Sequence, residues 1–222
     1  MRTSPFLIYP NKSHRAFVQL PRKSAELAEF FGIMMGDGGI NNEWQANVTL
    51  NTDADAKYIP YVANIMERLF QKRPAVRARM NCKATVVSLA STTVVEFLVE
   101  NGLVRGNKLA KGLEIPQWIL GKKTYKMAAV RGLVDTDGCL VFHAHTVKGK
   151  VYKNLYLSFS SGSQVLLGQV VEIFFELGYK PHFATNGREI YLYSAHDIVS
   201  YMRSVGTSNE RIERVYKKWR DG

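Results

Sequence analysis

The sequence predicts an α+β fold of two pseudo-twofold-related αββαββα repeats whose antiparallel sheets form a saddle. Three observations predict it. A helical segment ending in Asp-Gly occurs twice at an offset of 100 residues, as AELAEFFGIMMGDGGI at 25–40 and YKMAAVRGLVDTDGCL at 125–140. A stretch of alternating apolar and polar residues follows each copy, the period-two signature of a strand with one buried and one wet face. Apolar stripes at helical spacing come next, and a further strand pair and a closing helical segment complete each unit. Helices segregated from antiparallel strands cover one face of each sheet and leave the other open.

In chain order, residues 1–23 form an N-terminal arm bearing Arg2, Lys12 and Arg15, the first repeat spans 24–105, a linker spans 106–123, and the second repeat spans 124–222. Ser24 and Thr124 are the expected N-caps, each 13 residues before Asp37 or Asp137, so the two helices should be equally long. Gly32 and Gly36 are four apart, and Gly132 and Thr136 take the same places in the second copy. Small residues at that spacing share a helix face and let two helices approach closely. Gly38 and Gly138 suit a left-handed cap after each helix.

The strand stretches place Ala46, Val48 and Leu50 inward with Gln45, Asn47, Thr49 and Asn51 outward, and Leu155, Leu157 and Phe159 inward with Asn154, Tyr156, Ser158 and Ser160 outward. Val62, Ile65, Met66 and Leu69, then Leu167, Val170, Val171 and Phe174, read as core-facing helix stripes. Residues 75–90 form a second strand pair turning near Asn81, and Asn186-Gly187 is a type I′ hairpin signal between 180–185 and 188–193. Helices at 92–101 and 196–204 close the units, and Ile115-Pro116 interrupts helix in the linker.

The chain has 30 Lys and Arg against 19 Asp and Glu, a net charge of +11. Such an excess points to a polyanion, nucleic acid first, because Lys and Arg displace counterions from phosphates. With 46% hydrophobic and 22% charged residues the composition is that of a globular chain. It contains neither an apolar run of spanning length, nor a secretory h-region, nor a basic amphipathic helix, which excludes a membrane function and leads us to expect an intracellular protein. Cys82 and Cys139 lack metal-site spacing and are expected to be buried free thiols. His143 and His145 share a strand face without further ligands and read as an ordinary pair.

Packed side by side, the two repeated helices would bring Asp37 and Asp137 together at their C-terminal ends, where each macrodipole adds negative potential. Such a site calls for a cation. Hard oxygen donors with room for water and phosphate favour Mg²⁺, and paired divalent ions suit in-line attack on a phosphodiester; Ca²⁺ is expected to support binding without cutting. The open sheet faces should read the major groove of double-stranded DNA. The candidate readers are Gln45, Asn47, Thr49, Arg77, Arg79 and Lys83 in the first half, and Asn154, Tyr156, Ser158, Lys180, His182 and Arg188 in the second. Because the halves differ in sequence, the chain is expected to act as a monomer on a long asymmetric site.

Phe30-Phe-Gly-Ile-Met-Met-Gly-Asp-Gly38 and Val130-Arg-Gly-Leu-Val-Asp-Thr-Asp-Gly138 resemble the nine-residue motif of the LAGLIDADG homing endonucleases, in their single-chain form. The resemblance implies a staggered double-strand cut, with the metal ligands falling on Asp37 and Asp137 and on the carbonyls of Gly36 and Thr136. It also implies a basic residue near each scissile phosphate, which we place at Lys108 and Arg211. Met35 departs from the motif's sixth position, where Asp135 keeps the usual Asp, so the halves are unequal. A maturase acting on intron RNA or a non-cleaving regulator could use the same scaffold, and retention of both Asp37 and Asp137 favours the nuclease. A nucleotide-binding enzyme is suggested only by Gly36-Asp-Gly-Gly39, and a phosphate loop should instead follow a strand and open a helix. Met1-Arg-Thr and Asp221-Gly222 do not resemble intein junctions, so a freestanding, intron-encoded protein is expected.

Overall fold

The computed structural model describes residues 18–221, except for the side chains at 143–145, 151 and 153. The arm residues Arg2, Lys12 and Arg15 and the His143–His145 side chains lie outside what is described. The first repeat runs α1 (Ala25–Met35), β1 (Gly38–Gly39), β2 (Gln45–Asn51), α2 (Tyr58–Phe70), β3 (Ala75–Ala78), β4 (Ala84–Ala90) and α3 (Thr92–Glu100). A short α4 (Gln117–Leu120) follows, with Pro116 in front of its first turn. The second repeat runs α5 (Lys123–Asp137), β5 (Gly138–Val147), β6 (Lys150–Ser160), α6 (Gln164–Glu176), β7 (His182–Phe183), β8 (Glu189–Leu192) and α7 (Ala195–Ser204), and α8 (Glu210–Asp221) extends beyond it.

Both sheets have four antiparallel strands in the same order, β1-β2-β4-β3 and β5-β6-β8-β7. Their registers correspond. Gly38 opposes Val48, Val48 opposes Val87 and Val87 opposes Val76, while Gly138 opposes Phe159, Phe159 opposes Ile190 and Ile190 opposes Phe183. Alternation places Ala46, Val48, Leu50, Val87 and Leu89 of the first sheet and Leu155, Leu157, Phe159, Ile190 and Leu192 of the second under the helices. The expected stripes of α2 and α6 are buried against them, and removing these side chains from water is the main stabilising term. The β5–β6 hairpin is much longer than β1–β2, so the second half extends further along its strands.

α1 and α5 cross through their small residues. A Cβ built on Gly32 would lie 2.1 Å from Ala129 O, and one on Gly132 would lie 2.3 Å from Glu29 O, a reciprocal contact of backbone against backbone. Gly38 and Gly138 serve a different purpose from the expected one. Neither is left-handed: Gly138 is extended, with φ −99° and ψ 162°. A Cβ there would meet Val134 O at 2.4 Å, and one on Gly38 would meet Met34 Cα at 2.4 Å, so glycine lets each strand leave directly against its helix.

Other local expectations are corrected. Ser24 caps α1 by accepting from Leu27 N at 3.1 Å, but Thr124 lies inside α5, which begins at Lys123 behind Lys122 with no side-chain cap. α5 also runs through Asp137 where α1 stops at Met35, so the helices differ in length, 11 against 15 residues. The first hairpin turns at Asn81 as expected, with that residue left-handed at φ +63°, but in the second hairpin only Gly187 is left-handed, at φ +65°. Gly187 N donates to Ala184 O at 3.0 Å, closing a type I turn followed by a left-handed glycine in place of type I′. Cys82 and Cys139 are exposed rather than buried, the first beside the Asn81 turn and the second on the outward side of β5. Gly36 to Gly39 lead out of a helix into a strand, the reverse of a phosphate loop. No helix among the described residues is long and apolar enough to cross a membrane.

Candidate active site at the paired helix ends

The α1–α5 crossing delivers Asp37 and Asp137 to one cleft. Gly36 makes room for it: a Cβ there would lie 2.0 Å from Thr136 Oγ1 and 3.2 Å from Asp137 Oδ2, so the second carboxylate sits against the end of the first helix. Burial pushes the Asp37 carboxyl up to about 7, reinforced by Asp137 and Asp55 and opposed by Lys108 and Arg211. Asp137 keeps solvent access at the surface, yet loss of water around its carboxyl in the cleft raises it too, again opposed by Lys108.

Lys108 reaches this point from the segment after α3. Its Nζ donates to the carbonyls of Gly36 and of Gly38, the latter at 2.9 Å, with Met34 O at 3.5 Å. Burial lowers its ammonium, while Asp137 and Asp37 raise it. Arg211 occupies the corresponding place in the second half. Its guanidinium donates to Gly138 O at 3.2 Å and Asp135 O at 3.4 Å, and Nε lies 3.5 Å from Asp55 Oδ1. Each basic residue thus answers the orphan carbonyls of one motif helix. Thr136 turns its hydroxyl back to Gly132 O and Leu133 O, both at 2.9 Å, which leaves its main chain as the donor the site could use.

The way Arg211 is held was not foreseen. Asp135, buried and with its carboxyl pushed up to about 7 by that burial, accepts from the Thr207 hydroxyl and from Ser208 N at 2.7 Å. Glu29, buried on α1, accepts from Arg131, from Tyr61 Oη at 2.7 Å and from Ser208 Oγ at 2.8 Å. Asn209, also buried, donates to Asp55 Oδ1 and Asp135 O, both at 2.9 Å, and its own side chain accepts from Arg211 N at 3.0 Å. The 206–209 loop is therefore fixed to both repeats at the start of α8, which presents Arg211. The signal for α8 was present in Ile212, Val215, Tyr216 and Trp219, an unread stripe at helical spacing.

A cavity of about 370 Å³ lined by Asp37, Asn47, Thr49, Arg79 and Lys108 joins the first carboxylate to the open face of the first sheet. Another, of about 470 Å³, joins Asp137 and Lys108 to Asn186, Arg188 and Glu189 of the second. Of the expected readers, Gln45, Asn47 and Thr49 face outward half-buried, and Arg77, Arg79, Asn154, Lys180, His182 and Arg188 are exposed. Lys83 is exposed but pairs with Asp53 at 2.8 Å. Tyr156 is half-buried among other rings, and Ser158, opposed by Cys139 and Tyr191, is buried at 7% exposure, which removes it as a contact surface.

The donor set suits a divalent cation. No three His, Cys, Asp or Glu side chains are placed together so as to hold a metal ion among the described residues, whereas Mg²⁺ is commonly held by one or two carboxylates together with water and phosphate oxygens. Two desolvated carboxylates at two helix C-termini provide that arrangement.

No family model and no curated protein matches this sequence. Solved structures do. The I-LtrWI LAGLIDADG homing endonuclease bound to target DNA superposes with a TM-score of 0.60 at 9% identity, covering 89% of each chain. I-SmaMI bound to an uncleaved DNA target with calcium gives 0.60 at 10% identity over 90% of each chain. An I-DmoI variant in complex with its target DNA and manganese gives 0.54 at 14% identity, covering 84% of this chain and 96% of that one. With two motif-bearing repeats on one polypeptide, the chain has the fold of the single-chain LAGLIDADG homing endonucleases.

Proposed function

We propose that this chain is a site-specific double-strand DNA endonuclease acting as a monomer, with divalent metal, Mg²⁺ by chemistry, held at Asp37 and Asp137. The observation that carries this reading is the meeting of the two carboxylates, a hundred residues apart, at the helix crossing between two open sheets. The net charge of +11 and the DNA-bound state of the three related structures support the choice of substrate.

The sheets would lie along the major groove of one half-site each, and their unlike faces would select a long, asymmetric sequence. The helix ends would then sit at the middle of the site, one carboxylate toward each strand. Divalent ions bound there would supply an activated water and offset the charge of the scissile phosphates. Asp37 and Asp137 would hold those ions, with the Gly36 and Thr136 carbonyls as further oxygen donors. Lys108 and Arg211, one in each half, would place a positive charge near the phosphate of each strand, where it stabilises the transition state.

Cleavage selection from a randomised duplex library with Mg²⁺ tests this reading and yields the target. The selected duplex should be cut in both strands by the wild type, while Asp37→Asn and Asp137→Asn retain its binding and lose cutting. Wild-type cutting by both variants would refute the metal assignment.

A further inference from the structure

The two open faces are built from different chemistry at corresponding positions. The registers equate Gln45 with Tyr156, Ala75 with His182 and Ser88 with Tyr191, and Tyr193, the residue after β8, follows at the place of Ala90 when the register is continued. The first sheet therefore presents small and amide side chains around Arg77 and Arg79, whose exposed guanidinium groups make no hydrogen bond or ion pair with described residues. The second presents a contiguous aromatic cluster. Tyr191 and Tyr193 stack at 5.2 Å and 15°, Tyr156 packs on them at 5.9 and 6.2 Å, and His182 borders Tyr193 at 5.7 Å. Tyr193 is 56% exposed, so the cluster lies on the surface rather than in the core.

On the basis of the endonuclease reading, we infer that the second sheet selects a thymine-rich half-site by apolar contact between this tyrosine cluster and thymine C5-methyl groups in the major groove. Each base pair presents a distinct pattern there, and the thymine methyl is its one apolar element. Tyr191 and Tyr193 already stack on one another, so they offer ring edges outward more than free faces. The Tyr191 hydroxyl is committed to Glu189 Oε2 at 2.9 Å, and Ser160 donates to the other oxygen of that carboxylate at 3.0 Å. Glu189 is thereby engaged by the protein, and the Tyr191 hydroxyl is spent on it, which leaves the ring as the part of Tyr191 open to an apolar contact. Ser158, the polar group of this row, lies buried beneath the cluster. The first sheet, with two guanidinium groups that no described residue engages, is suited to guanine O6 and N7 instead. Stacking on unpaired bases, the mode common in single-stranded RNA recognition, would require free ring faces.

The selected duplex provides the test. Its second half-site should be enriched in thymine and its first in guanine. Replacing second-half thymines by deoxyuridine removes only the methyl groups, and should weaken binding by the wild type roughly fourfold per contacted methyl. The same replacement in the first half should change binding less than twofold. A combined Tyr156→Gln, Tyr191→Ser and Tyr193→Ala variant carries the first sheet's residues and should lose the deoxyuridine effect; Tyr193→Ala alone, at an exposed position, should reduce it. A second half-site without thymine enrichment, no deoxyuridine effect there, or tighter binding to single-stranded RNA than to the duplex would overturn the inference. Failure to obtain any cleaved duplex would count against the endonuclease reading instead.

Discussion

Gly32→Ala adds one methyl group at the point where α1 meets α5. Its carbon would lie 2.1 Å from Ala129 O and 3.0 Å from both Ala129 C and Leu133 N, all backbone atoms that cannot rotate away. Reaching even the 3.0 Å limit of real contacts requires the helices to part by about 0.9 Å. Overpacking of this kind costs about 1–3 kcal/mol, and the rigid neighbours put it at the upper end. The gain in helix propensity from Gly to Ala returns about 1 kcal/mol, leaving a net loss of about 2 kcal/mol. For a chain of this size that corresponds to a fall in Tm of roughly 4–8 °C. Because the same crossing positions Asp37 and Asp137, a shift near 1 Å should also reduce cleavage on the order of 100-fold. Gly168→Ala is the control. Gly168 is also inside a helix, α6, but a Cβ there meets nothing within 4 Å, so the same substitution should raise Tm by roughly 1–4 °C. Scanning calorimetry of both variants decides the matter. A Gly32→Ala protein melting at or above the wild type would refute the close-approach argument.

Other outcomes follow from the polar groups around the cleft. The Asp37 carboxyl is raised from 3.8 to about 7, so the fold favours its neutral form; its stabilising contribution is complete below about pH 4 and lost as pH rises through 7. Metal-free protein should therefore melt progressively lower from pH 5 to 8, Asp37→Asn should lessen that decline, and Mg²⁺ should bind more tightly across the same interval; a wild-type Tm independent of pH would contradict this. Lys108→Met removes a charge that lowers both carboxyls, so the apparent pKa of the pair should rise in NMR titration of the metal-free protein, and cleavage should slow with DNA affinity nearly kept. Asn209→Ala leaves Asp55 and the Asp135 carbonyl without a buried donor, a cost of about 1–3 kcal/mol, and by loosening Arg211 it should make nicked plasmid accumulate during digestion.

What was legible in the sequence was what repeats. The Asp-Gly helix ends, the glycine face and the strand alternation each occur twice, and each follows from a short-range rule, so the paired carboxylates could be located without coordinates. The groups around them obey no such rule. Ser208 with Glu29 and Asn209 with Asp55 are pairs separated by 179 and 154 residues, and nothing local marks them. The second of the two expected caps failed for a related reason: Thr124 matched Ser24 by repeat, but α5 starts earlier because α4 and Lys122 lead into it. The glycines ending the motif suited a left-handed cap by sequence, but what requires them is steric contact with Met34 and Val134. Ser158 was assigned to the wet face by alternation, which is right for its direction; its burial comes from neighbouring strands.

The loop that holds Arg211 has its anchors on both sides of the pseudo-dyad, at Glu29 and Asp55 from one half and Asp135 from the other. Halves of such a protein are therefore not freely interchangeable modules. A chimera joining this first half to a second half of different origin would present the buried Glu29 and the half-buried Asp55 to a loop that does not answer them, and its second-strand chemistry would falter before its DNA recognition did. Grafting 206–211 together with the new half restores the match, and makes that hexapeptide the natural unit of exchange.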